Sequence, residues 1–397
     1  MEDLPFGPAG VEGKSNDSAF LIAEASVHDP SCVQIIVERL ASVELAHVLV
    51  FASPDGDFAS LMRALGASFA CPVIGCTTAG EIGSDGYVTG QVIALGFPAH
   101  SFAARTILIT DLSRTKTTAV IDDLVRARIA VQATNPDKKN GFSFMMVDGL
   151  SRSEDALVSA VSSSLSGFPL FGGSAGDGLR FESSYIAFGD QIYQDAATIT
   201  FVATDCETQV FSTNHMRPGG DFMVVTEADP ERRVVKSINA EPAAAEYARI
   251  IGKDPAQLDE LVFAGHPVAV SVGGQYHVRA IQRVNEDGDL VFFSAIDEGM
   301  VLTVATAGDM AHDLDTKLQT VRNGHRPPAI IGCDCVLRRI EAERGQTTHK
   351  VNEVLRRHNV VGFSTYGEQI GTLHVNHTMT GVAIFPNDGP GDGRARD

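Results

Sequence analysis

The chain has 397 residues with a net charge of -19, and 44% of its residues are hydrophobic. An acidic surface repels nucleic acid and anionic membranes, so neither is expected as a partner. The longest apolar runs are too short to cross a bilayer, and the first ten residues lack the regions of a signal peptide. We therefore expect a cytoplasmic protein of two or three domains, with its six cysteines as buried thiols.

Predicted helices and short apolar strands alternate along the first half of the chain. Residues 1–17 are rich in Gly, Pro and acids and are predicted to form a loose tail. Helical spacing or an acidic start predicts helices at 30–42, 57–67, 117–131 and 153–165. Apolar runs predict strands at 20–25, 47–51, 72–75, 91–97, 102–109 and 142–147, with 91–97 and 102–109 as an antiparallel pair.

The second half continues the mixture. Strands are predicted through 185–226, at 234–238, in a meander over 267–297, at 329–331, from 360 onward and at 375–385. Helices are predicted at 242–251, 256–263, 310–321 and 346–357, and 386–397 forms a second loose tail. The interleaving indicates an α/β (mixed α+β) fold, with mixed, partly antiparallel sheets flanked by helices. We place the domain boundary between 18–228 and 229–385.

Three Gly-rich segments each follow a short apolar strand. They read VIGCTTAGEIG at 73–83, LFGGSAGDGLR at 170–180 and VVGFSTYGEQIG at 360–371. The first and third match position for position in two glycines, two hydroxyl residues and the closing acid, which predicts two related halves. Glycine after a strand lets the backbone turn tightly and approach a ligand. None of the three has the Lys or the spacing of a nucleotide-binding loop.

Four segments together resemble the FIST family of prokaryotic sensory proteins, over about 30–385. They are the first two Gly segments, Cys335 with Arg338 in IIGCDCVLRR, and GFSTYGEQIG followed by Asn376, His377 and Thr378. Two features depart from the family pattern: the chain has no tryptophan, and position 334 is Asp where Ser is expected. The resemblance implies paired N- and C-terminal FIST domains.

Within that family, the chain resembles the branch of stand-alone haem proteins that sense nitric oxide, called NosP. The resemblance implies haem b, held through a histidine, and nitric oxide as the ligand. It also implies signalling to a separate histidine kinase or cyclic-di-GMP enzyme. A homo-oligomer stays open.

His215 is our prediction for the iron ligand. It lies between two strand-like runs near the predicted domain boundary, where ligands tend to bind. Arg217 is expected to pair with a haem propionate, and Phe211, Phe222 and Met223 to line the macrocycle. The competing interpretation is a loop histidine in solvent. The alternative iron ligands are His266, His277, His374 and His377.

The resemblance also supports a haem-free alternative, in which the Gly segments bind an amino acid or a similar small metabolite. The residues predicted to bind it are Thr77, Gly80, Glu81, Gly173, Ser174, Ser364, Gly367, Glu368, Asn376 and His377. An acid at the end of a loop accepts hydrogen bonds from an ammonium group. The competing interpretation is that these acids cap segments or satisfy loop amides, and Asp177 fits that slightly better.

Catalysis is not expected. The sequence contains no Gly-x-Ser-x-Gly elbow, no His-Glu-x-x-His and no paired CxxC site. Ser174 and Ser364 lie on sharp loops, but no base can be assigned to either from the sequence.

Overall fold

A computed structural model describes residues 18–114, 117–272, 274–322 and 328–386. The predicted tail 1–17 and all but the first residue of the predicted tail 386–397 lie outside this part of the chain.

Helices follow most of the predicted amphipathic segments. They are α1 (Cys32–Leu40), α2 (Phe58–Ser68), α3 (Thr117–Ala133), α4 (Glu154–Val161), α5 (Ala243–Ile250), α6 (Glu260–Gly265), α7 (Met310–Arg322), α8 (Val336–Arg344) and α9 (Thr348–Arg357). The sequence did not predict α8. Its buried residues include Arg338 and Arg339, so its inward face lacks the apolar spacing by which helices are found.

The strands up to the middle of the chain are β1 (Leu21–Ser26), β2 (Leu45–Ala52), β3 (Val73–Thr77), β4 (Glu81–Gly83), β5 (Gly86–Val88), β6 (Gln91–Pro98), β7 (Phe102–Ile109), β8 (Asn140–Asp148), β9 (Leu170–Ala175), β10 (Ile186–Phe188), β11 (Gln191–Tyr193), β12 (Ala197–Thr204) and β13 (Glu207–Thr213).

The later strands are β14 (Met216–Asp229), β15 (Val234–Ile238), β16 (Glu241–Pro242), β17 (Val268–Val272), β18 (Gln275–Arg279), β19 (Ile281–Val284), β20 (Leu290–Phe292), β21 (Val301–Ala307), β22 (Ala329–Cys335), β23 (Val360–Thr365), β24 (Glu368–Ile370), β25 (Leu373–Val375) and β26 (Met379–Phe385).

Three six-stranded sheets share one strand order. The first is β1-β6-β2-β3-β10-β11, the second is β7-β12-β8-β9-β24-β25, and the third is β13-β26-β22-β23-β4-β5. In each, the two middle strands (β2 with β3, β8 with β9, β22 with β23) run parallel, and the other pairs run antiparallel. The described fold therefore repeats a unit three times.

In each unit, the hairpin that follows the Gly segment pairs with the sheet of another unit. After β3 the chain crosses to β4 and β5 in the third sheet, and after β23 it crosses to β24 and β25 in the second. After β9 it crosses to β10 and β11 in the first sheet. The three Gly segments are the crossing points.

Aromatic side chains from the three sheets meet in a common core. Phe51 of the first sheet stacks on Phe363 of the third, with ring centroids 4.5 Å apart. Phe51 also meets Phe144 of the second sheet edge-on at 6.1 Å. The helices pack on the outer faces, with α1 and α2 on the first sheet, α3 and α4 on the second, and α7 and α9 on the third.

A fourth, eight-stranded sheet is inserted between β13 and α7. Its order is β18-β17-β21-β14-β15-β20-β19, with β16 on β15. Its strand β18 reaches the third unit through a bridge between Val278 and Asn376.

The predicted mixed α/β class is confirmed. One predicted pairing is wrong. Strands β6 and β7 are not partners, because β1 and β2 occupy both edges of β6, and the chain passes to another sheet, where β7 pairs with β12. The division at 228/229 stays a prediction; strand β14 runs through it, and segments on both sides contribute strands to the same sheets.

A central glycine in each of β3, β9 and β23 allows the strand to lie close to its parallel neighbour. A Cβ on Gly75, Gly172 or Gly362 would overlap a backbone carbonyl of the parallel neighbour. Replacing any one by Ala is expected to destabilise the fold by about 3 kcal/mol, because a backbone cannot yield as a side chain can. Denaturant unfolding measures this.

Gly265→Ala is the matched control, because a Cβ there meets no atom within 4 Å. Equal stability of the control and the three variants would contradict the close approach.

Candidate functional site

Backbone hydrogen bonds join the three crossing loops into a ring. We call residues 77–81 loop 1, residues 174–178 loop 2 and residues 364–368 loop 3. The Ala79 N–H of loop 1 donates to the Ser364 carbonyl of loop 3 (2.9 Å), and Ser364 N–H donates back to Gly80 (2.7 Å). These bonds fix loop 1 against loop 3.

Loop 2 closes the ring on both sides. Its Gly176 N–H donates to the Thr77 carbonyl at 3.1 Å, and its Ser174 N–H donates to the Gly367 carbonyl at 2.8 Å. Most predicted ligand residues are thus brought together at the crossing point: Thr77, Gly80, Glu81, Gly173, Ser174, Ser364, Gly367 and Glu368. Gly173 lies against loop 3, where a Cβ would meet the Thr365 methyl.

Loops 1 and 3 carry equivalent buried carboxyl groups. Thr78 donates to Glu81, and Thr365 donates to Glu368, with the same spacing of three residues. Both acids are fully buried. Burial raises the pKa of Glu81 to about 7, against the opposing hydrogen bonds from Thr78 and the Gln91 N–H. Burial raises the pKa of Glu368 well above its usual value, against the hydrogen bond from Thr365.

Loop 2 has no such pair. Strand register places Glu81 opposite Phe363, Glu368 opposite Gly173, and Ile186 opposite Cys76, so Ile186 occupies the third equivalent position. The sequence similarity of Asp177 to the other two acids therefore does not correspond to a structural equivalence.

Asp177 serves loop amides instead. It accepts hydrogen bonds from the N–H groups of residues 181, 182 and 183 and from the Tyr366 hydroxyl. Burial alone would raise the pKa of Asp177, but these hydrogen bonds outweigh it and hold the pKa below the usual value. The predicted role in satisfying amides fits this geometry.

The His215 side chain is fully buried and forms a polar network with residues of α8. Its Nε2 lies 2.9 Å from the Glu341 carboxylate, and Arg338 donates to its Nδ1 at 2.9 Å. An arginine cannot accept, so the ring proton sits on Nε2 and is donated to Glu341. Both ring nitrogens of His215 are thus occupied.

The side chains predicted to surround a haem lie in different parts of the fold. Arg217 is 58% exposed and pairs with Asp313. Phe211 packs in the core beneath α7 and α9, Met223 packs in the core of the fourth sheet, and Phe222 is exposed. As placed here, these residues do not fit a haem. In the described part of the chain, no three His, Cys, Asp or Glu side chains form a metal cluster.

Asp334, the departure from the family pattern, completes the same network. Its carboxylate accepts from Arg338 Nε at 2.6 Å and from the Tyr87 hydroxyl. Because Arg338 is 1% exposed, an ionised partner is needed to compensate its buried charge.

Several buried polar atoms near loop 3 have no hydrogen-bond partner among the described residues. They are Ser364 Oγ, Gln369 Oε1, His374 Nε2, Asn376 Nδ2 and both ring nitrogens of His377. The Gln369 amide nitrogen donates to Ser174 Oγ at 3.0 Å and to His374 Nδ1 at 3.2 Å. His374 therefore carries its proton on Nε2. We call these five residues the loop-3 cluster.

The predicted residues Asn376 and His377 belong to this cluster, whereas the sequence did not single out Gln369. The only signal for Gln369 was its place beside Glu368 in the third Gly segment. Burial, with the nearby His215 and Arg338, lowers the pKa of His377 to about 3, so His377 is neutral. Among the other histidine candidates, His266 Nδ1 contacts the Val262 carbonyl at 3.1 Å, and His277 is half-buried.

A separate surface cavity of about 490 Å³ adjoins loops 1 and 2. Thr77 and Asp177 line it together with Arg180. The Thr77 hydroxyl already accepts the Tyr185 N–H at 3.0 Å. Of the predicted ligand residues, only Thr77 lines this cavity.

Residues 46–241 match the FIST N domain, and residues 243–371 match the FIST C domain. The chain therefore belongs to the FIST family, whose domains are sensory domains that bind small ligands. No curated protein matches the chain. Across the described residues, every helix is too short or too polar to span a bilayer.

The buried carboxyl of Glu81 predicts a pH dependence of stability. The pKa of about 7 in the folded protein exceeds the usual 4.5. The stabilisation that Glu81 gives the folded state is therefore complete below pH 4.5 and is lost as the pH rises through 7. Glu81→Gln should reduce that loss by about 3 kcal/mol, since one pKa unit corresponds to about 1.4 kcal/mol. Urea unfolding between pH 4.5 and 8 measures it.

Asp57→Asn is the control. Asp57 caps α2, and the hydrogen bond that its carboxylate accepts from the Ser60 N–H lowers its pKa, so its titration falls below this window. Asp57→Asn should lower the free energy of unfolding by the same amount at every pH between 4.5 and 8. A Glu81→Gln profile parallel to the wild type would contradict the raised pKa.

Proposed function

We propose that the protein is a haem-free sensor that binds a small polar metabolite, an amino acid or a similar compound, at the loop-3 cluster. It acts by binding and not by catalysis. The proposal rests on family membership for the sensory role and on the loop-3 cluster for the place of binding.

The concentration of unpartnered polar atoms carries the proposal. Of the 12 buried side-chain nitrogens and oxygens without a partner in the described residues, six lie between Ser364 and His377. An unmade buried hydrogen bond costs about 1–3 kcal/mol. A structure with several such costs in one place is stabilised by a ligand that supplies both donors and acceptors, or by ordered water.

The surroundings favour a small ligand. A Cβ on Gly367 would lie 2.8 Å from His374 Nε2 and 3.1 Å from Asn376 Nδ2, so these two groups flank the loop-3 backbone closely. The ring of loops fixes that backbone. Ligand size is therefore limited by a frame that cannot widen without breaking the bonds between loops.

Among the described residues, neither of the two serines on the loops has a partner that suits a nucleophile. Ser174 Oγ accepts from the Gln369 amide, which is not a base, and Ser364 Oγ contacts no base among the described residues. Neither serine has the adjacent base that activates a nucleophile.

The finer assignment from the family resemblance remains a second candidate: a cytoplasmic haem-based nitric oxide sensor that signals to a histidine kinase or a cyclic-di-GMP enzyme. One observation favours it. His377 is neutral, and neither of its nitrogens is bonded, which is the state an iron ligand needs. His215 would have to give up Glu341 or Arg338 first.

A thermal-shift panel of amino acids and small organic acids tests the first candidate. A ligand is expected to raise the melting temperature in a dose-dependent manner. Asn376→Leu should abolish that shift, because it removes the unpaired Nδ2 donor, at the cost of only the long 3.5 Å hydrogen bond from the Ala280 N–H to Oδ1.

Asn140→Leu, at an exposed position on β8, is the matched control and should leave the shift intact. The proposal fails if no compound shifts the melting temperature, or if Asn376→Leu retains the full shift.

An absorption spectrum separates the two candidates. Our proposal predicts a colourless protein after expression with added haem. The haem candidate predicts a Soret band that moves when the reduced protein meets nitric oxide, and that disappears in His215→Ala or His377→Ala according to which residue is the ligand. Stable haem in the wild type would overturn the haem-free assignment.

A further inference from the structure

Arg279, at the end of β18, brings a buried positive charge from the fourth sheet to the loop-3 cluster. It is only 7% exposed. Its Nη1 donates to the His374 carbonyl at 2.8 Å, and its neighbour Val278 pairs with Asn376. Its Nε is buried and has no hydrogen-bond partner within the described part of the chain.

Arg279 shares its carboxylate partner with a second arginine. Its nearest carboxylate is Asp155, at 3.4 Å, and that side chain is 23% exposed. Asp155 also faces Arg233 at 3.5 Å and accepts the Ala295 N–H, while Glu154 pairs with Arg233 at 2.5 Å. Burial lowers the pKa of Arg279, against the attraction of Asp155. A buried cation that shares its counter-charge with a second cation is costly.

Unpaired donors outnumber unpaired acceptors around this charge. His374 Nε2 and Asn376 Nδ2 are free donors beside Gly367, and Arg279 Nε is a third. Gln369 Oε1 is a free acceptor. Ser294 Oγ, which serves as donor or acceptor, is also unpaired, next to Phe293, whose N–H donates to the Ala280 carbonyl. Three unpaired donors, one of them on the cation Arg279 itself, match the oxygens of an anion.

We propose that the ligand of the loop-3 cluster carries an anionic group, a carboxylate or a phosphate, which is held by Arg279, His374 and Asn376. This inference rests on the proposed function and specifies the chemistry of its ligand. It also gives the fourth sheet a role, since Arg279 belongs to that sheet and the other two residues do not. Ligand binding therefore ties the fourth sheet to the ring of loops.

The test compares matched acids and amides by isothermal titration calorimetry on the full chain. The probes are acetate against acetamide, each amino acid against its carboxamide, and inorganic phosphate as the second anion source. The acid is expected to bind at least about tenfold more tightly than its amide, which corresponds to about 1.4 kcal/mol. Phosphate binding tighter than any carboxylate would identify the group as a phosphate.

Two variants assign the anion to Arg279. Arg279→Gln should bring the affinity for the acid down to that for the amide, whereas Arg279→Lys keeps the charge and should keep part of the preference. Arg283→Gln, an exposed arginine on β19 of the same sheet, is the control for the change in net charge and should leave the preference unchanged.

The outcomes separate this inference from the proposed function. Equal binding of acid and amide by the wild type, or an unchanged preference in Arg279→Gln, would overturn the anionic group while leaving the sensor proposal in place. Binding of none of the probes or panel compounds would overturn both.

Discussion

The hydrogen bonds between the backbones of the three loops are the interaction on which the rest of the fold depends. Each loop leaves one sheet and enters another, so the bonds between loops are also the bonds between units. Backbone groups can approach so closely only where side chains are small, which accounts for the glycines and hydroxyl residues of all three segments. The stacked Phe51 and Phe363 add apolar contact beneath the same point.

The ring of loops contains two kinds of buried polar residue. Glu81, Glu368 and Asp177 are fully occupied by hydroxyl or amide donors and hold the loops in shape. The residues that follow loop 3 are buried to the same degree but are not satisfied. The second kind is what a binding site requires, because a ligand gains most from groups that have no alternative partner. Our proposal therefore places the site at one of the three units, where the unsatisfied groups are concentrated.

Much of the fold was accessible from the sequence. The Gly segments, most helices and the mixed class follow from local patterns, because each depends on residues close together in the chain. The exchange of hairpins between sheets was not predictable, since short strands such as β4 and β24 carry no signal for the sheet they join. Helix α8 was missed because its buried face carries two arginines. For the site, a shared motif identified Asn376 and His377, but Gln369 and Arg279 become functional candidates only through partners distant in sequence. His215 illustrates the reverse: a lone histidine in a loop-like stretch gives no indication that Glu341 and Arg338 enclose it.

The hairpin exchange has a consequence for how the chain acquires its structure. The edge of β9 is covered by β24, which is made about two hundred residues later, and the edge of β4 is covered by β23, which is made about 280 residues later. Until the last unit emerges, both edges present unpaired backbone groups that attract other strands. Contacts so distant in sequence also slow folding. The carboxyl-terminal segment thus completes the second and third sheets at once, and a chain truncated before residue 360 would leave open, aggregation-prone edges in both.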